Sequence, residues 1–349
     1  MLLVLALAAL IWFGGRVMGA PQRLRAMCVG ALLLAVVLAQ LVLPDGNALR
    51  AATGGSAAPW LMLAGAGVLV ALYRAGLGRL RARATEQESA AAPSPGATGP
   101  FAAGELDRYA RHVVLRELGG PGQRALKQAS VLVIGAGGLG APALQYLAAA
   151  GVGRIGVIDD DVVDPGNLQR QVIHVDAHIG MPKVFSAQKA MEAQNPYAEI
   201  RPYNRRLTEE IAADLFAEYD VILDGTDNFE TRYLTNRVAV AQGKPLVSGA
   251  LAQWEGQVSV FDPAHDAPCY QCIFPEPPAD GLAPTCAEAG VLGPLPGVVG
   301  SMMAVETIKL IADVGQVLRG EMIIYDALWG ETRKITLRRR QDCPVCGAA

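Results

Sequence analysis

VLVIGAGGLG (residues 131–140) decides the fold, because a short apolar, β-branched run passes directly into the pattern G-x-G-x-x-G. The next stretch, APALQYLAAAG (141–151), has the composition of a helix that ends at a glycine, and RIGVIDDD (154–161) is a second apolar run that ends in acids. Strand, glycine loop, helix and strand in this order are typical of a dinucleotide-binding unit. In such a unit the backbone N–H groups at the helix N-terminus bind phosphate.

The patterned glycines are Gly135, Gly137 and Gly140, and Gly138 lies in the same loop. Asp159 follows at the end of the second strand, where an acid can accept hydrogen bonds from ribose hydroxyls. These residues predict a nucleotide-binding fold without deciding which nucleotide is bound.

Three further apolar runs predict later strands: VILDGTDN (221–228), KPLVSGAL (244–251) and QVSVFD (257–262). Helical segments alternate with the strands, which indicates an α/β, Rossmann-like fold with a mainly parallel sheet. Ligands of such sheets bind at the carboxyl ends of the strands. The acids placed there are Asp159, Asp161, Asp224 and Asp227.

The segment after the second strand adds polar residues that a phosphate site can use: Asn167, Arg170 and Lys183. An enzyme that cleaves ATP at the α-phosphate needs fixed cations, because negative charge develops on the leaving pyrophosphate. A hydride-transferring enzyme has no obvious use for them. Asp227 can hold Mg²⁺ against the phosphates. From spacing alone, solvated surface cations remain an equal alternative for Arg170 and Lys183.

Two cysteine pairs, Cys269-x-x-Cys272 and Cys343-x-x-Cys346, predict a structural Zn²⁺ site. Four thiolates complete a tetrahedral shell. Disulfides are the alternative, and a reducing cytosol disfavours them.

The first 83 residues differ in character from the rest. Eight arginines and one aspartate give them a net charge of +7, so the remainder carries −10 of the chain total of −3. Apolar runs at 2–15, 27–43 and 60–73 predict three transmembrane helices. Arginines after the first and third runs place the N-terminus outside and everything after residue 74 in the cytoplasm. The alternatives are a buried hairpin of a soluble domain and a cleaved signal peptide.

These features predict a multi-pass protein of the inner (cytoplasmic) membrane with its catalytic domain in the cytoplasm. The composition of residues 84–104, rich in Ala, Pro, Gly and Ser, predicts a flexible linker. Residues 105–349 form the predicted catalytic domain. The acidity of that domain argues against nucleic acid as a partner.

The motif series GAGGLG, DDD, NLQRQ, GMPK, LDGTDN, PLVSGAL, CAEAGVLGPLPGVVGSMMAVETIKL and two CxxC pairs resembles the ubiquitin-activating-enzyme superfamily. It is most similar to the MoeB/ThiF/HesA branch, and within it to the molybdopterin-synthase adenylyltransferases. The resemblance covers roughly residues 106–347. It implies ATP-dependent adenylylation of the C-terminal glycine of a small ubiquitin-like sulfur-carrier protein with a Gly-Gly C-terminus.

The resemblance also implies roles for single residues. Gly138 would cradle phosphate and Asp159 would bind ribose. Asn167, Arg170 and Lys183 would contact the phosphates, and Asp227 would bind the metal with Asn228 beside it. Arg111 would reach into the ATP site of a partner subunit, which requires a homodimer, and Cys286 would handle thiol chemistry on the activated carrier.

Two features depart from the family pattern. No sulfurtransferase domain follows Cys346, so sulfur would come from a separate donor protein, and the membrane segment is foreign to the soluble relatives. The alternatives that stay open are a membrane-tethered NAD-dependent oxidoreductase and a non-catalytic scaffold that binds the carrier.

Overall fold

The computed structural model describes residues 2–44, 46–63, 65–67, 69–70, 73–74, 76–77, 100–278 and 289–347. The chain divides into two compact units, Met1–Ala97 and Thr98–Ala349. The division falls within the segment 84–104, for which the sequence predicts a linker. Residues 84–99 of that segment lie outside the described residues.

Among its described residues, the first unit contains the helices α1 (Leu2–Val17), α2 (Gln22–Val42) and the short α3 (Ala48–Ala52), and residues 58–63 are also helical. With 21 residues and a mean hydropathy of 2.2, α2 is long and apolar enough to cross a bilayer, whereas α1 is shorter. The predicted third span, 60–73, lies partly outside the described residues.

Large apolar side chains of these helices point outward. Leu10 and Met27 are each 71% exposed and Val42 is 77% exposed. An apolar surface of this kind is unfavourable in water and suits contact with lipid. Three transmembrane spans nevertheless stay a prediction.

The second unit is built on one sheet with helices on both faces. Its strands are β1 (Ser130–Ile134), β2 (Arg154–Ile158), β3 (Glu199–Tyr203), β4 (Val221–Asp224), β5 (Leu246–Ala252), β6 (Glu255–Phe261), β7 (Glu321–Asp326) and β8 (Glu331–Thr336). They lie in the order β3-β2-β1-β4-β5-β6-β7-β8. The strands from β3 to β5 pair in parallel, and β6, β7 and β8 continue the sheet antiparallel. The predicted Rossmann-like α/β fold is confirmed.

The helices of this unit are α4 (Glu105–Arg108), α5 (Ala110–Val113), α6 (Gly119–Gln128), α7 (Gly140–Ala150), α8 (Lys183–Gln194), α9 (Glu209–Ala217), α10 (Phe229–Ala241), α11 (Tyr270–Ile273) and α12 (Pro294–Ala312). α12 is also long and apolar enough to cross a bilayer, but it packs against α7 and the sheet as a core helix.

The position of β1 in the centre of the sheet explains why its sequence is apolar without alternation. Val131 and Val133 contribute to the core on one face of the sheet, and Leu132 and Ile134 to the core on the other. Because helices cover both faces, every position of this strand except the first is buried.

The glycine loop joins β1 to α7 through a turn that only glycine permits. Gly135 has φ +93°, and a Cβ on Gly140 would lie 1.9 Å from the carbonyl oxygen of Gly135. The loop therefore closes against the first residue of α7 without a side chain between them.

Candidate active site

A cleft of about 720 Å³ lies at the carboxyl ends of β1, β2 and β4. These parallel strands are neighbours in the sheet, so the loops that follow them meet at one edge. The sequence-predicted residues that line the cleft are Gly135, Gly137, Gly138, Asp159, Arg170, Lys183, Asp227 and Asn228. Gly140 instead begins α7, and Asn167 lies behind Arg170.

Asp159 is tied to the glycine loop. Its Oδ2 accepts a hydrogen bond from the backbone N–H of Ala136 at 2.7 Å, and its Oδ1 accepts one from the N–H of Asp161 at 2.8 Å. Burial raises the pKa of Asp159 above its ordinary value, although the nearby Lys183 ammonium acts in the opposite direction. The predicted ribose acceptor thus also holds the loop that would bind phosphate.

Lys183 is the first residue of α8 and is only 5% exposed. Its Nζ donates to Oδ2 of Asp161 at 2.7 Å, and the Asp161 side chain is 68% exposed. A lysine at a helix N-terminus opposes the helix dipole, so this position is electrostatically unfavourable without an anion nearby. Asp161 supplies that anion in the structure, and phosphate can supply it when nucleotide is bound.

Arg170 is oriented by contacts within its own loop. Its Nη2 donates to Oδ1 of Asn167 at 3.0 Å, and its Nη1 donates to the carbonyl of Gly166 at 3.0 Å. Arg170 therefore lines the cleft directly, whereas Asn167 acts on the cleft through the arginine that it holds.

Asp227 and Asn228 follow β4 and differ in role. Asp227 is exposed and lines the cleft, so its carboxylate is available to a metal or to phosphate-bound water. Asn228 is the N-cap of α10, because its Oδ1 accepts a hydrogen bond from the N–H of Thr231 at 2.9 Å. Asn228 thereby fixes the helix start directly after the metal-binding candidate.

A buried charge pair, formed by Asp224 and Arg232, lies beneath this loop. The sequence pattern pointed to Asp224 and did not point to Arg232. Asp224 is 1% exposed and Arg232 is 6% exposed, with Nη1 and Oδ2 3.6 Å apart. Asp224 also accepts hydrogen bonds from the backbone and hydroxyl of Thr226, and Arg232 donates to the carbonyls of Thr226 and Gly249. The pair fixes the loop that carries Asp227. Its only sequence signal is an arginine in the first turns of a helix after an acid-rich strand end.

Gln171 is a second polar residue that the sequence did not single out. It lines the cleft, is 4% exposed, and its Oε1 has no hydrogen-bond partner among the described residues. A buried acceptor without a partner is costly, so this atom suits a donor from a bound ligand or water.

Aromatic side chains also line the cleft. Tyr270 and Phe274 are among the lining residues, and their rings pack with centroids 4.8 Å apart. Burial raises the pKa of Tyr270 to about 12, so this hydroxyl stays protonated. The cleft lining therefore combines charged and aromatic side chains.

The four cysteines of the two CxxC pairs meet in one buried cluster. The Sγ–Sγ distances are 3.9 Å for Cys269 and Cys272, 3.6 Å for Cys269 and Cys343, and 3.3 Å for Cys272 and Cys346. Tetrahedral Zn²⁺ with Zn–S bonds of about 2.3 Å places sulfurs roughly 3.8 Å apart, whereas a disulfide requires about 2.05 Å. The cluster can therefore hold zinc, and the cysteines are not paired as disulfides.

Arg111 and Cys286 are the remaining predicted site residues. Arg111 lies in α5 with its side chain exposed and is not part of the lining of this chain's cleft. Cys286 falls in 279–288, outside the described residues.

A family model described as the ThiF family matches residues 109–345. The sulfur carrier protein adenylyltransferase of Thermus thermophilus is 51% identical over 247 residues, which are 70% of this chain and 91% of that protein. The SAMP-activating enzyme E1 of Haloferax volcanii is 48% identical over 243 residues, which are 70% of this chain and 89% of that protein.

Among solved structures, that of E. coli MccB with ATP matches with a TM-score of 0.56. The match covers 65% of this chain and 68% of that one at 20% identity. At this identity the likeness concerns the fold alone.

Proposed function

The chain belongs to the ThiF family, and on that premise we propose that it is an adenylyltransferase that activates a small ubiquitin-like sulfur-carrier protein. The enzyme transfers the adenylyl group of ATP to the C-terminal glycine carboxylate of a carrier that ends in Gly-Gly, and pyrophosphate is released. The reaction serves molybdenum cofactor biosynthesis or a related sulfur-transfer pathway. The names of the two similar proteins, a sulfur carrier protein adenylyltransferase and a SAMP-activating enzyme E1, support this assignment.

One observation carries the proposal. The glycine loop, the ribose acceptor Asp159, the cations Arg170 and Lys183, and the exposed acid Asp227 converge on a single cleft. Ile158 and Leu207 also line it and offer an apolar surface for a purine beside Asp159. A dinucleotide site needs no such set of cations, so their convergence favours a triphosphate.

The reaction forms a bond between a carboxylate oxygen of the carrier and the α-phosphorus. The bond between that phosphorus and the bridging oxygen breaks, and the electron pair leaves with pyrophosphate. Arg170 and Lys183 offset the charge that develops on the leaving group. Asp227 would hold Mg²⁺, which neutralises phosphate charge when it is bound.

The carrier's tail enters the cleft beside Tyr270 and Phe274. A glycine tail has no side chain and can pass close along the wall that these two packed rings form. The cysteine cluster holds Zn²⁺, and since Tyr270 lies between Cys269 and Cys272, the metal supports that wall.

Three further parts of the proposal concern partners. The enzyme acts as a homodimer in which Arg111 reaches into the partner's ATP site. Cys286 handles thiol chemistry on the activated carrier, and a separate protein donates the sulfur.

Residues 1–83 anchor the enzyme in the inner membrane with the catalytic domain in the cytoplasm. The outward apolar side chains of α1 and α2 and the arginines that follow the apolar runs support this location. Carbonate washing of membranes should leave the full chain in the pellet. Release of the chain into the soluble fraction would contradict the anchor.

Exchange of radiolabelled pyrophosphate into ATP tests the activity. Exchange should require a carrier with an intact Gly-Gly tail and should be lost in Asp227→Ala. Glu230→Gln, which changes an exposed acid on α10 nearby, should retain it. Exchange without any carrier, or equal exchange by Asp227→Ala, would refute the proposal, and tight NAD binding without ATP binding would favour the oxidoreductase instead.

A further inference from the structure

Ala136, in the centre of the glycine loop, is held by both of its backbone polar groups. Its N–H donates to Oδ2 of Asp159 at 2.7 Å. Its carbonyl oxygen lies 2.9 Å from Nε2 of His174. A carbonyl can only accept, so His174 carries its proton on Nε2 and donates it to Ala136.

His174 is itself fixed by a chain of hydrogen bonds. It is 5% exposed, and its Nδ1 lies 2.9 Å from Oγ of Ser186 on α8. The same hydroxyl lies 2.9 Å from Nδ1 of His178. Burial lowers the pKa of His174 and keeps the ring neutral. The donors then run in one direction, from His178 to Ser186, from Ser186 to His174 and from His174 to Ala136.

We propose that His174 is a positioning residue for nucleotide binding, which sets the orientation of the Ala136–Gly137 peptide in the phosphate-binding loop. This role rests on the proposed use of ATP. The carbonyl of Ala136 and the N–H of Gly137 lie in one peptide plane, which can turn about the bonds on either side, and Gly137 restricts that rotation least. If the plane turned over, the carbonyl oxygen of Ala136 and the N–H of Gly137, which lines the cleft, would exchange directions, and a carbonyl that faces phosphate repels it. His174 prevents this by giving the carbonyl a partner on the side away from the cleft.

A pair of substitutions separates this role from simple packing. The side-chain nitrogen of glutamine corresponds in position to Nε2 of histidine, and that of asparagine corresponds to Nδ1. His174→Gln therefore keeps a donor toward Ala136, whereas His174→Asn keeps a donor only toward Ser186. Ser186→Ala removes the hydroxyl that donates to Nδ1 of His174 and leaves the contact from Nε2 to Ala136 in place.

Equilibrium binding of Mg·ATP to the full chain in detergent measures the effect without turnover. His174→Asn should raise the Kd for ATP about tenfold, the loss expected for one hydrogen bond at a buried site. His174→Gln should raise it by less than about threefold, and Ser186→Ala by about threefold. In pyrophosphate exchange the KM for ATP should rise while the KM for the carrier stays unchanged.

Thr307→Val serves as the matched control, because Thr307 is also fully buried and also donates to a backbone carbonyl, that of Met303 within α12. It should lower the melting temperature without changing the Kd for ATP. Equal Kd values for His174→Asn and the unaltered chain, or equal losses for His174→Asn and His174→Gln, would overturn the role of His174 alone. A full chain that binds no ATP at all would overturn the proposed function together with it.

Discussion

Nζ of Lys183 lies 2.7 Å from Oδ2 of Asp161, and this ion pair bridges the loop after β2 and the first residue of α8. A backbone hydrogen bond joins the same two residues, since the N–H of Lys183 donates to the carbonyl of Asp161 at 2.9 Å. The lysine is buried while the carboxylate is largely exposed. A phosphate group that enters the cleft can therefore replace the carboxylate as the partner of an ammonium that is already in place.

Lys183→Met tests this arrangement. Loss of a fixed cation beside the leaving group should lower kcat/KM for pyrophosphate exchange by about 100- to 1,000-fold. Lys189→Met, an exposed lysine of the same helix, should leave the rate unchanged. Comparable rates for both variants would show that Lys183 is a structural ion-pair partner and no more.

Asp224 and Arg232 should behave as a coupled pair in stability measurements. Asp224→Asn leaves a buried guanidinium without its counter-charge and should lower the free energy of unfolding by about 3 kcal/mol. The double variant Asp224→Asn, Arg232→Met should regain part of this loss, because no buried charge remains. Urea unfolding of the full chain in detergent measures both, and strictly additive losses would contradict the coupling.

ATP binding should weaken below a certain acid pH, here called the acid limit, because Asp159 becomes protonated there. Burial raises its pKa above the ordinary value of 3.8, so the carboxylate is protonated at a higher pH than in an unfolded chain. As the pH falls through the raised pKa, the ribose acceptor is lost and the Kd for ATP should rise. The same shift makes the ionised carboxylate unfavourable to the fold, so stability from this group is present below the raised pKa and declines as the pH rises through it.

Titration of the Kd for ATP between about pH 4 and pH 7 checks this prediction. Asp159→Asn should bind more weakly at neutral pH and lack the acid limit that the unaltered chain shows. Asp160→Asn, which changes the exposed neighbour, should keep it. ATP takes up protons equally in all three titrations, so the difference between the proteins reports Asp159. An unchanged acid limit in Asp159→Asn would count against the assignment.

Metal analysis should find about one zinc per chain. Cys346→Ser should reduce the zinc content to near zero and lower the melting temperature, because the cluster fixes the C-terminal segment to α11. Cys28→Ser provides the control, since Cys28 lies in α2 and outside the cluster. Full zinc occupancy in Cys346→Ser would show that the four thiolates are not the ligand set.

Much of the fold could be predicted because its central strands are buried on both faces. β1, β2 and β4 are continuous apolar runs, and the glycine loop and the acids mark where these runs end. The sequence analysis did not predict β3, β7 or β8. In the edge strand β3 only Ile200 is buried, and in the edge strand β8 every residue is exposed. Such edge strands are specified by pairing with a neighbour, and hydrophobicity alone does not mark them.

Some residues of the site could also be predicted from the sequence, and others could not. Asp159, Arg170, Lys183 and Asp227 stand next to strand ends or in a recognisable motif, so their approximate location followed from the sequence. Arg232 donates to the backbone carbonyls of Thr226 and of Gly249 in β5, and His174 donates to that of Ala136 in the glycine loop. Their roles depend on how α10 packs against β5 and on how the loop before α8 packs onto the glycine loop, which periodicity and spacing do not encode.

The proposed reaction transfers an adenylyl group from ATP to the C-terminus of a carrier. The most direct measurement is intact mass spectrometry of a small Gly-Gly-ended carrier after incubation with the full chain, ATP and Mg²⁺. The carrier should gain the mass of one adenylyl group with the unaltered enzyme, and none with Asp227→Ala or with a carrier that lacks the terminal glycines. A carrier of unchanged mass while the enzyme binds both ATP and the carrier would contradict the account.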